Sequence, residues 1–159
     1  MSSNSVIQKT LIPSSPWYIS TQSNPIARKL ADRHYSRKTI GAPTFMGPGE
    51  CLILLTYDEN ALFGWRKNKY RLDNQEGVEC SIFRNEGKWL SSLLILEAEI
   101  FAYNKWAPTR LFTYINSKKI RSTNPGACFL IAGWKREKKR SKNKKLILLS
   151  KKVGPHNAP

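Results

Sequence analysis

The chain has only two histidines, and one of them, His34, is followed by a phenol and a hydroxyl in Arg33-His-Tyr-Ser36. An imidazole with these neighbours can supply a general base and a proton donor, or it can clamp a substrate. His34, Tyr35 and Ser36 are therefore the candidate catalytic residues. They follow a short helical stretch whose C-terminal end favours the protonated imidazole. The plainer role open to His34 is to cap that helix. A second constellation is Ser81-Ile-Phe-Arg-Asn-Glu-Gly-Lys-Trp-Leu-Ser-Ser92. It reads as an apolar strand running into a polar loop with Arg84 and Gly87, then into a helix opened by Ser91 and Ser92. A turn of this kind aims backbone amides and the helix dipole at an anion, often a phosphate. Arg84, Asn85, Gly87, Ser91 and Ser92 form the candidate anion site. A plain helix start beside a surface arginine would use the same residues, and Glu86 adds a like charge.

Charge points to the partner. The 27 Lys and Arg against 11 Asp and Glu give a net +16, an excess that favours nucleic acid or another polyanion. Residues 135–145 are a strongly basic run, with Lys138, Lys139 and Arg140 at its centre. As the tip of a β-hairpin it fits phosphate tracking along double-stranded DNA, which positions a protein without specifying a base. A solvated loop is the plainer alternative. Arg33, Arg37 and Lys38 add positive charge beside His34. Tyr114 and Asn116 end a strand, where α/β sheets place ligands. Asn124 reads as a helix cap and Cys128 as a buried thiol, which would become a nucleophile only with an activating neighbour such as His34. Trp17, Trp65 and Trp89 could stack on a base, although a core position is commoner.

The elements that must hold these residues follow from periodicity and turn chemistry. Residues 1–16 read as a Ser- and Pro-containing arm with a possible edge strand over 7–12, residues 17–153 as one domain and 154–159 as a disordered tail. Strands are expected over 17–19, 51–57, 61–66, 78–83 and 110–115. Asn24 and Pro25 open a short helix that ends near 33–36. Loops fill 39–50 and 67–77. The longest helix runs from 90 to 106, with Leu93, Leu96, Ile100 and Tyr103 at helical spacing and Leu94, Ala98 and Phe101 widening the stripe, so much of it is expected to be buried. Asn124-Pro-Gly126 starts a helix of about two turns that Gly133 closes, and a hairpin follows from Trp134 with its return strand at 146–149. The fold class is α/β: a mixed, mostly antiparallel twisted sheet with a parallel βαβ unit at its centre. Cys51, Cys80 and Cys128 are odd in number and widely spaced, which fits a reducing compartment and leaves no compact metal-ligand set. No apolar run approaches the roughly 18 residues of a membrane span, and the N-terminus lacks a signal-peptide pattern, so a cytoplasmic location is expected, without a membrane partner.

This element order resembles the GNAT superfamily of coenzyme A-dependent N-acyltransferases. Arg84-Asn-Glu-Gly87 matches the first two fixed positions of that superfamily's pyrophosphate turn, while Trp89 stands where Gly or Ala is usual. The helix ending Cys128-Phe-Leu-Ile-Ala-Gly-Trp134 is similar to its Tyr-x-x-x-Gly-Phe ending, with Phe129 in place of the acidic tyrosine. Residues 24–136 more closely resemble the phage-encoded GNAT-like proteins of the Mom type, through Arg33-His-Tyr-Ser36, the Leu-Ser-Ser92 helix opening, Asn124-Pro-Gly126 and Ala-Gly-Trp134. That resemblance implies a transferase that adds a carbamoylmethyl or related acyl-derived group to the exocyclic N6 amine of adenine in DNA. It implies an acetyl- or related acyl-coenzyme A donor held by Arg84, Asn85, Gly87, Ser91, Ser92 and Asn124, and a host-cell cytoplasmic setting. An N-acetyltransferase acting on a protein or small-molecule amine, and a non-catalytic DNA-binding protein on the same scaffold, are the alternatives. A metal requirement and the oligomeric state, a homodimer among the options, are left open.

Overall fold

The computed structural model describes residues 15–119, 126–138 and 146–154. The proposed edge strand at 7–12, the cap at Asn124, and Lys139 and Arg140 of the basic tip lie outside them. Seven strands form one sheet: β1 (Trp17–Ser20), β2 (Glu50–Thr56), β3 (Ala61–Lys67), β4 (Val78–Asn85), β5 (Arg110–Ile115), β6 (Lys135–Arg136) and β7 (Ile147–Lys152). Their order is β1-β2-β3-β4-β5-β7-β6, and every pairing is antiparallel except that of β4 with β5. Three helices are described: α1 (Pro25–Asp32), α2 (Ser91–Trp106) and α3 (Ala127–Ile131).

Alternation along β2 sorts its residues between two apolar layers. Leu52 and Leu54 join the layer under α2, with Trp17, Phe63, Trp65, Leu94, Ile95 and Ala98. Ile53 and Leu55 join the layer under α1, with Ala27, Leu30, Ala31, Leu62 and Ile82. Asn24 starts α1 by accepting from the Ile26 amide at 2.9 Å, with Pro25 as the first helical residue. Three indoles seat α2. Trp17 donates to the Leu94 carbonyl at 2.8 Å, Trp65 to that of Ala98 at 2.9 Å and Trp134 to the Glu99 carboxylate at 3.0 Å. Glu99 is fully buried, its pKa is raised by that burial, and the Lys151 ammonium closes on it at 2.7 Å. Removing either charge would strand the other in a low-dielectric site.

Two expectations change. The face of α2 that enters the core carries Leu94, Ile95, Ala98 and Ala102, so the stripe Leu93, Leu96, Ile100 and Tyr103 points outward. The helix is apolar nearly all round, and spacing alone could not choose its inner side. The second change is that β4 extends through Asn85, so Arg84 and Asn85 are strand residues and not loop residues. The short helix α3 begins at Ala127 after Gly126, which has φ 78° and whose Cβ would meet Leu149 at 2.7 Å.

Candidate active site

The single parallel pair creates the opening. β4 and β5 are in register only from Val78 and Leu111 to Cys80 and Thr113. At the same point β4 carries an extra residue against β3: Gly64 faces Ile82 and Trp65 faces Cys80, which leaves Ser81 unopposed. Beyond it lies a cleft of about 290 Å³ whose walls include His34, Tyr35, Cys80, Tyr114, Cys128 and Phe129. It sits past the C-terminal ends of parallel strands, the usual ligand position in such sheets.

His34 enters this cleft because α1 stops at the cap residue Arg33 and the chain turns, with the His34 amide bonded to the Ala31 carbonyl at 3.0 Å. The imidazole stacks on the Tyr35 ring at 4.3 Å between centroids. Its Nδ1 accepts from the Ser36 amide at 3.1 Å and lies 2.7 Å from the Ser36 Oγ. The Phe83 carbonyl is the hydrogen-bond partner on the other side. These partners assign the proton of the neutral ring to Nε2. Burial, and then the nearby Arg84 guanidinium, push the His34 pKa down to about 4, and the Phe83 bond only partly opposes this. The helix C-terminus was expected to favour the imidazolium; desolvation and a like charge outweigh it, so His34 is neutral at pH 7. The Nδ1 lone pair faces Ser36, so the proton within its reach is that of the Ser36 hydroxyl. Tyr35 spans the cleft: the Asn116 amide donates to its hydroxyl, and burial raises its pKa.

The remaining predicted residues divide between this corner and the turn into α2. Arg84 belongs to the corner. It donates to the Arg33 carbonyl at 2.7 Å and to Glu86, which also takes a bidentate pair of bonds from Arg33 at 2.7 and 3.0 Å. The Arg33 hydrogen bond, and then that of Arg84, hold the Glu86 carboxyl down to about 2. Glu86 thus takes the Arg84 guanidinium that a phosphate was expected to take. Asn85 points to the other side of the sheet and shapes the turn. Its side chain accepts from the Gly87 amide at 3.0 Å and donates to the Trp89 carbonyl at 2.7 Å and the Ser91 hydroxyl at 3.0 Å. Gly87 is required by packing, since a Cβ there would lie 2.9 Å from that of Asn60. Ser92 is buried, and no side chain caps the first amides of α2. Those amides are open to an anion such as a pyrophosphate, whereas Arg84 is turned away from them and Gly87 is walled by the β2–β3 turn.

Arg37 also has a structural role. Its side chain is 6% exposed and bonds Asp32 at 2.7 Å and the carbonyls of Thr44 and Ala42 at 2.6 Å each, so it cannot contact DNA. It holds the 38–49 loop over a second hollow of about 300 Å³, next to Ser36, Phe45, Met46 and Ile82. Tyr114 donates to Asp73 at 2.9 Å and is pushed up to about 12 by burial and by that carboxylate. Asp73 is itself paired with Arg71. Trp17 and Trp65 are core residues and unavailable for stacking, while Trp89 is 43% exposed. Burial raises the Cys128 thiol pKa, so it shares the cleft with His34 without being an activated nucleophile. Seven of the eight ion pairs among the described residues use arginine. Lys38, Lys88, Lys118, Lys119 and Lys138 are exposed and form no ion pair among the described residues. Lys118 and Lys119, just past Asn116, were missed, as was the Tyr35–Asn116 bridge. Their position after a parallel strand was the available signal.

Among the described residues no three His, Cys, Asp or Glu side chains come together to hold a metal, and no helix is long and apolar enough to cross a membrane. No known protein family, characterised protein or solved structure matches this chain.

Proposed function

We propose that the protein is a DNA-modifying transferase of the GNAT-like Mom type, acting on the exocyclic N6 amine of adenine with a carbamoylmethyl or related acyl-derived group. One observation carries the reading: a neutral His34, stacked on Tyr35 and bonded to Ser36, stands at the cleft where β4 and β5 part. The strand order, with one parallel pair beside an unopposed Ser81, supports the superfamily resemblance. The net +16, and the exposed Lys38, Lys118 and Lys119, which form no ion pair among the described residues, support a DNA substrate. The target adenine leaves the stack to expose its amine and enters the hollow between the 38–49 loop and Ile82. Ser36 takes the amine proton as its own hydroxyl proton passes to His34 Nδ1. Tyr35, fixed by Asn116, holds the stacked His34 ring in place beside Ser36. An acyl-coenzyme A donor would supply the transferred group through cleavage of its C–S bond and leave as the thiol, taking up the proton passed to His34, while the free amides at the start of α2 would hold its phosphate.

Nucleoside mass spectrometry of DNA from cells expressing the chain tests this. A modified deoxyadenosine is expected with the wild type and is expected to be lost with His34→Ala. Its absence from wild-type DNA would refute the reading. The uncapped amides of α2 equally favour an N-acetyltransferase acting on a protein or small-molecule amine. Acetyl-coenzyme A turnover in the absence of DNA would select that function instead. A non-catalytic DNA-binding role would be selected if His34→Ala left an in vivo phenotype intact while charge reversal at Lys138, Lys139 and Arg140 abolished it.

A further inference from the structure

The outward face of α2 carries an apolar seam that neither core uses. Leu93, Leu96, Ile100 and Tyr103 are spaced by three, four and three residues, which is the a/d spacing of a narrow helix–helix contact. None of the four belongs to either apolar layer of the fold. Leu93 and Leu96 are each 38% exposed, Ile100 and Tyr103 are half-buried, and Trp89 and Leu90, just before the helix, are 43% and 69% exposed. Such a seam is satisfied by a helix of the same spacing, and a second copy of this chain provides one on the same face.

Charge supports that occupant. Residues 89–104 contain no Lys or Arg, in a chain of net +16. This face lets two copies approach with little repulsion, and it offers nothing to a nucleic acid or an acidic protein. Glu97 flanks the seam on the solvent side, and the other carboxylate of the stretch, Glu99, is turned into the core. We infer that two copies of the chain pair through α2, with Leu93, Leu96 and Ile100 at the centre of a two-fold contact. A 16-residue helix is about 24 Å long, so the buried area falls at the small end for specific interfaces and the pairing is concentration-dependent. The inference does not depend on the proposed reaction.

Sedimentation equilibrium of the nuclease-treated full chain tests it at high salt, where DNA-bridged association is removed. The mass is expected to rise from 18.2 kDa towards twice that value as concentration increases from about 1 to 200 μM. The double variant Leu93→Glu, Leu96→Glu is expected to stay at 18.2 kDa with an unchanged circular dichroism spectrum. If that variant misfolds, Leu93→Ala with Leu96→Ala is expected to shift the midpoint to at least about tenfold higher concentration. A wild-type mass that stays at 18.2 kDa throughout would overturn the inference. So would association that persists unchanged in folded variants.

Discussion

The His34 corner and the turn into α2 grow from adjacent residues of one strand, Arg84 and Asn85, and they are held in different ways. Arg84 reaches towards α1 and joins an ionic cluster with Arg33 and Glu86 around a desolvated imidazole. Asn85 reaches towards α2 and holds its turn with three neutral hydrogen bonds. Strand alternation separates the two functions that a loop would have merged. The corner is therefore sensitive to pH and the turn is not, although both rest on the seat that α2 takes in the core.

That shared seat gives the largest expected effect. Lys151→Met strands the buried Glu99 carboxylate and should cost about 3–5 kcal/mol in urea unfolding, weakening corner and turn together. Next is the acid response of the corner. Folded His34 titrates at about 4, below the ordinary histidine value of 6.5. The unfolded chain therefore binds the proton first as pH falls. Stability should be unaffected by His34 above about pH 6.5 and drop by about 2–3 kcal/mol between pH 6.5 and 4. Glu86, with its depressed pKa, acts in the same direction at lower pH. Urea midpoints across this window should flatten in His34→Gln, which separates the imidazole from other groups. Asn85→Ala should cost about 1–2 kcal/mol and speed amide exchange at 87–92, while leaving the His34 titration unmoved. Coupling of the two would break the separation of the regions. The smallest effect on stability, and the sharpest on the comparison, belongs to Arg84→Met. It should raise the His34 midpoint in an NMR titration and leave exchange in the turn unchanged.

Much of the scaffold was legible in the sequence. Cap and proline placed α1, β-branched and aromatic runs placed the strands, and the βαβ order gave the one parallel pair. His34 and Tyr35 line one cleft, and Ser36, bonded to the imidazole, faces the neighbouring hollow. What failed depended on direction. Two further strand residues moved Arg84 from the anion site to the opposite face. An all-round apolar helix hid which stripe was outward. Arg37 looked available to DNA because its partners, Asp32 and the carbonyls of Ala42 and Thr44, are brought to it only by the fold, whereas Arg33 pairs with Glu86 and stays 49% exposed. Charge sums could not distinguish arginines used in ion pairs from lysines left exposed.

The state of His34 is the most direct test of a neutral, Ser36-facing base at the cleft. Nitrogen-15 NMR of the imidazoles, with the second histidine, His156, assigned by a His156→Gln variant, gives both tautomer and midpoint. The expected result is a ring protonated on Nε2 alone at pH 7, with a midpoint near 4. A midpoint at or above the ordinary histidine value, or a proton resident on Nδ1, would contradict it.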